Sequence, residues 1–149
     1  MSANEATGPT GLETDPRFPS GAWTGFWLQR EMPGRHMMEL RLTFRDGVLE
    51  GEGRDRVGRF RFRGRYNTAD GTCYWTKRYV GKHDVFYRGF NEGKGIWGVW
   101  EIPPYWRGGF HIWPEGMSDP TQPELSAEAD LPVADEEVLE IVGPAAPVR

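Results

Sequence analysis

Two charged residues stand where strand alternation otherwise puts apolar ones, and they carry the first hint of chemistry. From Val48 to Asp55 the chain alternates with Leu49, Gly51 and Gly53 on one face, and the same period carries Asp55 to that face. From Thr72 to Tyr79, Cys73, Trp75, Lys77 and Tyr79 share a face, so an inward Trp75 implies an inward Lys77. A carboxylate or an ammonium buried alone costs several kcal/mol, so the two must pair or stay wet. Three readings stay open. The pair orients a polar ligand, with Tyr79, Tyr87 and Trp100 as apolar walls; it is a structural ion pair closing one end of the fold; or Tyr74 is the inward residue and Lys77 points out.

Other reactive patterns are scarce. His36, His83 and His111 show no H-x-H, H-E-x-x-H or Cys/His spacing, which argues against a zinc site. No Walker loop, nucleophile elbow or dinucleotide-binding glycine pattern is present. His83 with Asp84 or Asp55 is conceivable as an acid–base pair, although a histidine at a strand start is ordinarily a surface residue. No catalytic residue, metal or cofactor is assigned. Arg59, Arg61, Arg63 and Arg65 alternate along one segment and form a stripe able to follow a phosphate backbone. Glu39, Glu50 and Glu52 stand on neighbouring strands to pair with them. The stripe therefore reads as a solvated outer face, and nucleic acid is not expected as a partner.

Eight strand-period segments position these residues: 21–29, 36–45, 48–55, 59–66, 72–79, 83–90, 95–102 and 108–113. Asp46-Gly47 is a hairpin signal because both residues tolerate positive φ. No helical segment competes. Eight short strands in sequence, each with one apolar face, predict an all-β, eight-stranded antiparallel up-and-down β-barrel, since closure removes free edges. Alternating strand direction sorts the loops into two ends. One end collects compact turns at 46–47, 67–71 and 91–94. The other collects 30–35, 56–58, 80–82 and 103–107, with the less ordinary residues. Ligand sites in small barrels lie at such a mouth, so the candidate binding set is Asp55, Lys77, Tyr79, His83, Tyr87, Trp100, Tyr105, Trp106 and Arg107.

The composition agrees with one such domain. The chain has 149 residues with 20 Gly, 12 Pro and 7 Trp, a mix that favours strands and tight turns. Residues 1–19 and 116–149 lack periodicity and read as a disordered arm and a disordered acidic, Pro-rich tail around a barrel over 20–115. Formal net charge is -4, yet most of the bases lie between Arg30 and Arg107, while the tail after Met117 is acidic until Arg149. A single cysteine, Cys73, fits a reducing compartment. No long apolar run or signal-peptide pattern is visible, so a cytoplasmic setting without membrane contact is expected.

Gly21-Ala22-Trp23 at the head of the first strand resembles the G-x-W signature of calycin-superfamily barrels: lipocalins, fatty-acid-binding proteins and avidins. The resemblance runs from Gly21 to Trp113 by strand count and order. It implies that Trp23 plugs one end of the barrel and that a basic residue near the last strand, Arg107, packs on it. Gly21, Trp23 and Gly25 also resemble the opening of the haem-binding nitrobindin barrels. The expected function is binding of a small ligand at one mouth. The alternative is an interaction module or homo-oligomer that uses outward Trp27, Trp97 and Trp113 and the acidic tail. An isomerase-type enzyme or a haem-binding barrel ranks behind both.

Overall fold

Alternation of side chains sets the architecture. The computed structural model describes residues 11–122. Its strands are β1 (Gly21–Gln29), β2 (Met32–Arg45), β3 (Val48–Asp55), β4 (Arg59–Tyr66), β5 (Thr72–Tyr79), β6 (Asp84–Asn91), β7 (Ile96–Ile102) and β8 (Trp106–Pro114). Each pairs antiparallel with its successor, and β8 pairs back onto β1, closing the barrel. Closure leaves no free edge to recruit another strand. The β2–β3 hairpin turns through Asp46 and Gly47, whose φ values of 51° and 81° are those a type I′ turn demands. Among the described residues no helix is long and apolar enough to cross a membrane.

Most of the interior is filled. Trp75 stacks on Phe62 at 5.0 Å and on Tyr87 at 5.2 Å, and Phe110 closes edge-on against Tyr87 at 4.9 Å. Gly64 sits opposite Trp75 in the register, and any side chain there would collide with the Trp75 backbone. Small residues facing large rings thus make room for the layer.

The structure departs from the sequence reading at both flanks of the barrel. Residues 11–19, expected as part of a disordered arm, fold across one end and plug it. Phe18 is fully buried against Phe44 and Tyr66, with Trp23 beneath. Glu13 N–H donates to Phe44 O at 2.9 Å, and Arg17 donates to Thr68 O and Asn91 O. A single plugging aromatic has no period, so alternation cannot reveal it. The C-terminal flank behaves alike up to residue 122: Asp119 and Thr121 bind Arg35 at 3.0 and 2.8 Å, and Arg35 lies 4.1 Å above the Phe26 ring. Residues 1–10 and 123–149 lie outside the described residues.

Two further corrections concern loops and tryptophans. β2 begins at Met32 and β8 at Trp106, so the mouth loops 30–35 and 103–107 of the sequence reading shrink to 30–31 and 103–105. Trp27 points inward, and Trp113, though on the outer side, is buried beside Phe26 and His111. Trp97 alone of the expected outer trio keeps partial exposure, packed 4.7 Å from Phe90.

Candidate functional site

The end opposite the plug holds a polar cluster under an apolar pocket. β3 delivers Asp55 inward at its last residue, as its alternation requires, and β5 delivers Lys77 between Trp75 and Tyr79. Lys77 is only 1% exposed. Its Nζ donates to Asp55 Oδ2 at 2.8 Å and to the Tyr87 hydroxyl at 3.3 Å. It also lies 4.3 Å above the Phe60 ring and 4.7 Å above Tyr79, where the negative ring faces favour a cation.

Asp55 is the hub. Oδ2 also accepts the Tyr79 hydroxyl at 2.6 Å and the Trp27 indole N–H at 3.0 Å, while Oδ1 accepts the Val57 N–H at 2.9 Å. Burial pushes the carboxyl up, but the Lys77 charge and these hydrogen bonds outweigh it and hold the pKa below the ordinary carboxylate value. Burial pulls Lys77 down, against the opposing pull of Asp55. Burial, then the bond to Asp55, raises Tyr79, and burial, then the Asp55 charge, raises Tyr87. The tyrosines stay neutral donors. With every Asp55 oxygen engaged, the carboxylate has no lone pair directed at a reacting group, and Lys77 is spent on its partners. The pair forms a rigid floor.

Above that floor opens a pocket of about 260 Å³, lined by Trp27, Gln29, Met32, Val57, Tyr79, His83, Val85, Tyr87, Trp100, Ile102 and Trp106. Trp100 is fixed by an indole N–H bond to Leu28 O at 2.9 Å. That approach requires Gly108, because a Cβ there would strike both Leu28 O and the Trp100 ring. Behind Trp27, His36 stacks at 4.2 Å, its Nε2 bound to Met32 O and its Nδ1 to Arg56. The Tyr87 hydroxyl accepts from Lys77, and its own proton has no acceptor among the described residues. Tyr87 itself is buried, and the polar side chains on the otherwise apolar wall include Gln29 and His83. Among the described residues no cluster of three His, Cys, Asp or Glu could hold a metal ion.

Of the sequence-selected set, Tyr79, His83, Tyr87, Trp100 and Trp106 line the pocket, and Asp55 and Lys77 support it from below. Tyr105 and Arg107 do not join them. Tyr105 is 84% exposed, and both border a separate outer concavity beside residues 28–34. Nor does Arg107 pack on Trp23. Trp23 pairs with Pro114 at the plugged end, whereas Arg107 pairs with Glu101 near the mouth. The cation at the plug is Arg17, 5.3 Å from the Phe18 ring centre. Sequence reasoning missed Trp27, Gln29, Met32, Val57, Val85 and Ile102. The period that puts Trp23 inward also puts Trp27 inward, so that signal was present.

The fold and site define a closed eight-stranded barrel with one plugged end and one open, aromatic-walled mouth. Comparison with protein-family models, curated proteins and solved structures finds no match for this chain. The calycin resemblance accordingly rests on its three residues and on strand number and order.

Proposed function

We propose that this barrel binds a small, flat, mainly apolar molecule at its mouth, with its polar edge directed at Gln29 and His83. The observation that carries the reading is the pocket of about 260 Å³ walled by three tryptophans above a hydrogen-bonded floor. Sites for drug-sized ligands span roughly 300–1,000 Å³, so a molecule of one or two fused rings suits this one. The Lys77–Asp55 pair holds Tyr79, Tyr87 and Trp27 in place and acts as a positioning element. A cytoplasmic setting belongs to the same reading. It rests on a lone Cys73 that is buried, with its thiol pushed up to about 12 by that burial.

A neutral apolar fluorophore, N-phenyl-1-naphthylamine, tests the proposal. Its emission is expected to rise saturably at one site per chain, and Ile102→Trp, which fills the pocket from β7, is expected to abolish the rise while the barrel stays folded. Absence of saturable binding, or binding indifferent to Ile102→Trp, would overturn the reading.

A further inference from the structure

The outer face of β4 and β5 has a charge pattern that the mouth pocket does not explain. Arg59, Arg61, Arg63 and Arg65 all point outward from β4, Arg78 joins them from β5, and neither strand contains an acidic residue. The expected neutralisation by neighbouring glutamates is incomplete. Glu50 pairs with Arg63, Glu39 approaches Arg54 only at 3.7 Å, and Asp84 takes Arg78 at 2.8 Å. Arg59, Arg61 and Arg65 have no ion pair among the described residues.

The register makes matters worse for the free protein. Arg54 stands directly across from Arg59, and Arg61 has Arg78 across from it on β5 and Glu52 on β3, with no ion pair closed to Glu52. Like charges facing each other across a ladder are destabilising, and an anion lying between them removes the penalty. Two aromatics break the surface beside these cations. Tyr74 is 58% exposed, with Arg65 on one side and Arg88 on the other. Phe86 is 45% exposed and sits across from Thr76, which in turn faces Arg63. Core demand does not account for large rings left in water here, because their inward neighbours Trp75 and Tyr87 already fill the layer.

We propose that the outer face of β4–β6 binds single-stranded nucleic acid. The arginines of β4 repeat at about 6.6–6.8 Å, two strand residues apart, and follow the phosphates of an extended chain. Tyr74 and Phe86 then supply flat platforms for unpaired bases, an interaction that a duplex cannot offer because its bases are already stacked. Charge alone would serve any polyanion. Tyr74, between Arg65 and Arg88, and Phe86, between Thr76 and Glu101 at the edge of the patch, select a single strand.

The test is fluorescence anisotropy of the full chain with labelled oligothymidylate, the matching duplex and phosphatidylserine vesicles. Oligothymidylate is expected to bind tighter than either competitor. About four phosphate contacts at a slope of roughly 0.7 each give a weakening of roughly 50-fold between 50 and 200 mM salt. Tyr74→Ala with Phe86→Ala is expected to weaken single-strand binding by about ten-fold or more at an unchanged salt slope, since both side chains are exposed. Arg61→Gln with Arg65→Gln is expected to lower the slope instead. No saturable binding at 50 mM salt would overturn the proposal. So would equal affinity for duplex or vesicles, or indifference to loss of the two aromatics. An unchanged far-ultraviolet circular dichroism spectrum and urea midpoint for each variant report an intact barrel and keep this result separate from that of the mouth.

Discussion

The two ends of the barrel solve the same problem with similar parts. At the plugged end the Tyr66 hydroxyl donates to Glu13 at 2.6 Å, and at the mouth the Tyr79 hydroxyl donates to Asp55 at 2.6 Å. Each end sets a cation near aromatic rings, Arg17 by Phe18 and Lys77 by Phe60, Tyr79 and Tyr87. The difference is the source of the carboxylate. Glu13 arrives on a segment that folds over the end and brings Phe18 with it, whereas Asp55 is the last residue of β3 and is followed by a short turn whose Val57 lines the pocket without filling it. A barrel end capped by its own chain is finished. One capped only by a polar floor keeps an apolar pocket.

The largest effect on that comparison is expected from Lys77→Ala. It strands Asp55 in the interior without its counter-charge, and removing one partner of a buried pair costs about 3–5 kcal/mol. Chemical denaturation reads the loss, and Lys77→Met with Asp55→Leu is expected to recover only part of it, because Tyr79, Trp27 and Val57 then lose their acceptor. Next comes Phe18→Ala. Emptying the plug is expected to cost about 3 kcal/mol while leaving probe affinity at the mouth unchanged. If Phe18→Ala also destroys the mouth, the two ends are not the independent units described here.

How far the sequence could reach follows the same line. The strands, their order and the inward phase of Asp55 and Lys77 are legible because a period of two is a local property. The choice among three roles for Lys77 is not local. It depends on Trp27, Tyr79 and Tyr87 converging from three other positions on one carboxylate and its partner. The plug was illegible for a related reason: Phe18 stands among prolines and polar residues, and only the closed barrel shows that it fills a hole. Tyr105 and Arg107 shared the correct loop end but not the pocket, because β8 begins at Trp106 and turns them to the outside.

Smaller effects sharpen the contrast. Asp55 is held below 3.8 in the folded state, so its contribution is complete above that value and is lost as pH falls through the folded pKa. Urea midpoints measured from about pH 6 down to about pH 2.5 are expected to show this fall, and the Lys77→Met, Asp55→Leu variant is expected to lack Asp55's share of it. Trp106→Ala is expected to change stability by no more than about 0.5–1 kcal/mol, because the ring is 43% exposed, yet to weaken the probe several-fold.

The mouth is tested most directly by the indole N–H resonances of the seven tryptophans, followed while the full chain is titrated with N-phenyl-1-naphthylamine. Trp27, Trp100 and Trp106 line the pocket, Trp75 stacks on Tyr87 in the packed layer, Trp23 lies under the plug, and Trp97 and Trp113 face the outer side. The expected result is saturable movement of the first three signals with Trp23, Trp97 and Trp113 still. Movement of Trp23, or of the outer pair while the mouth signals stay fixed, would contradict the account.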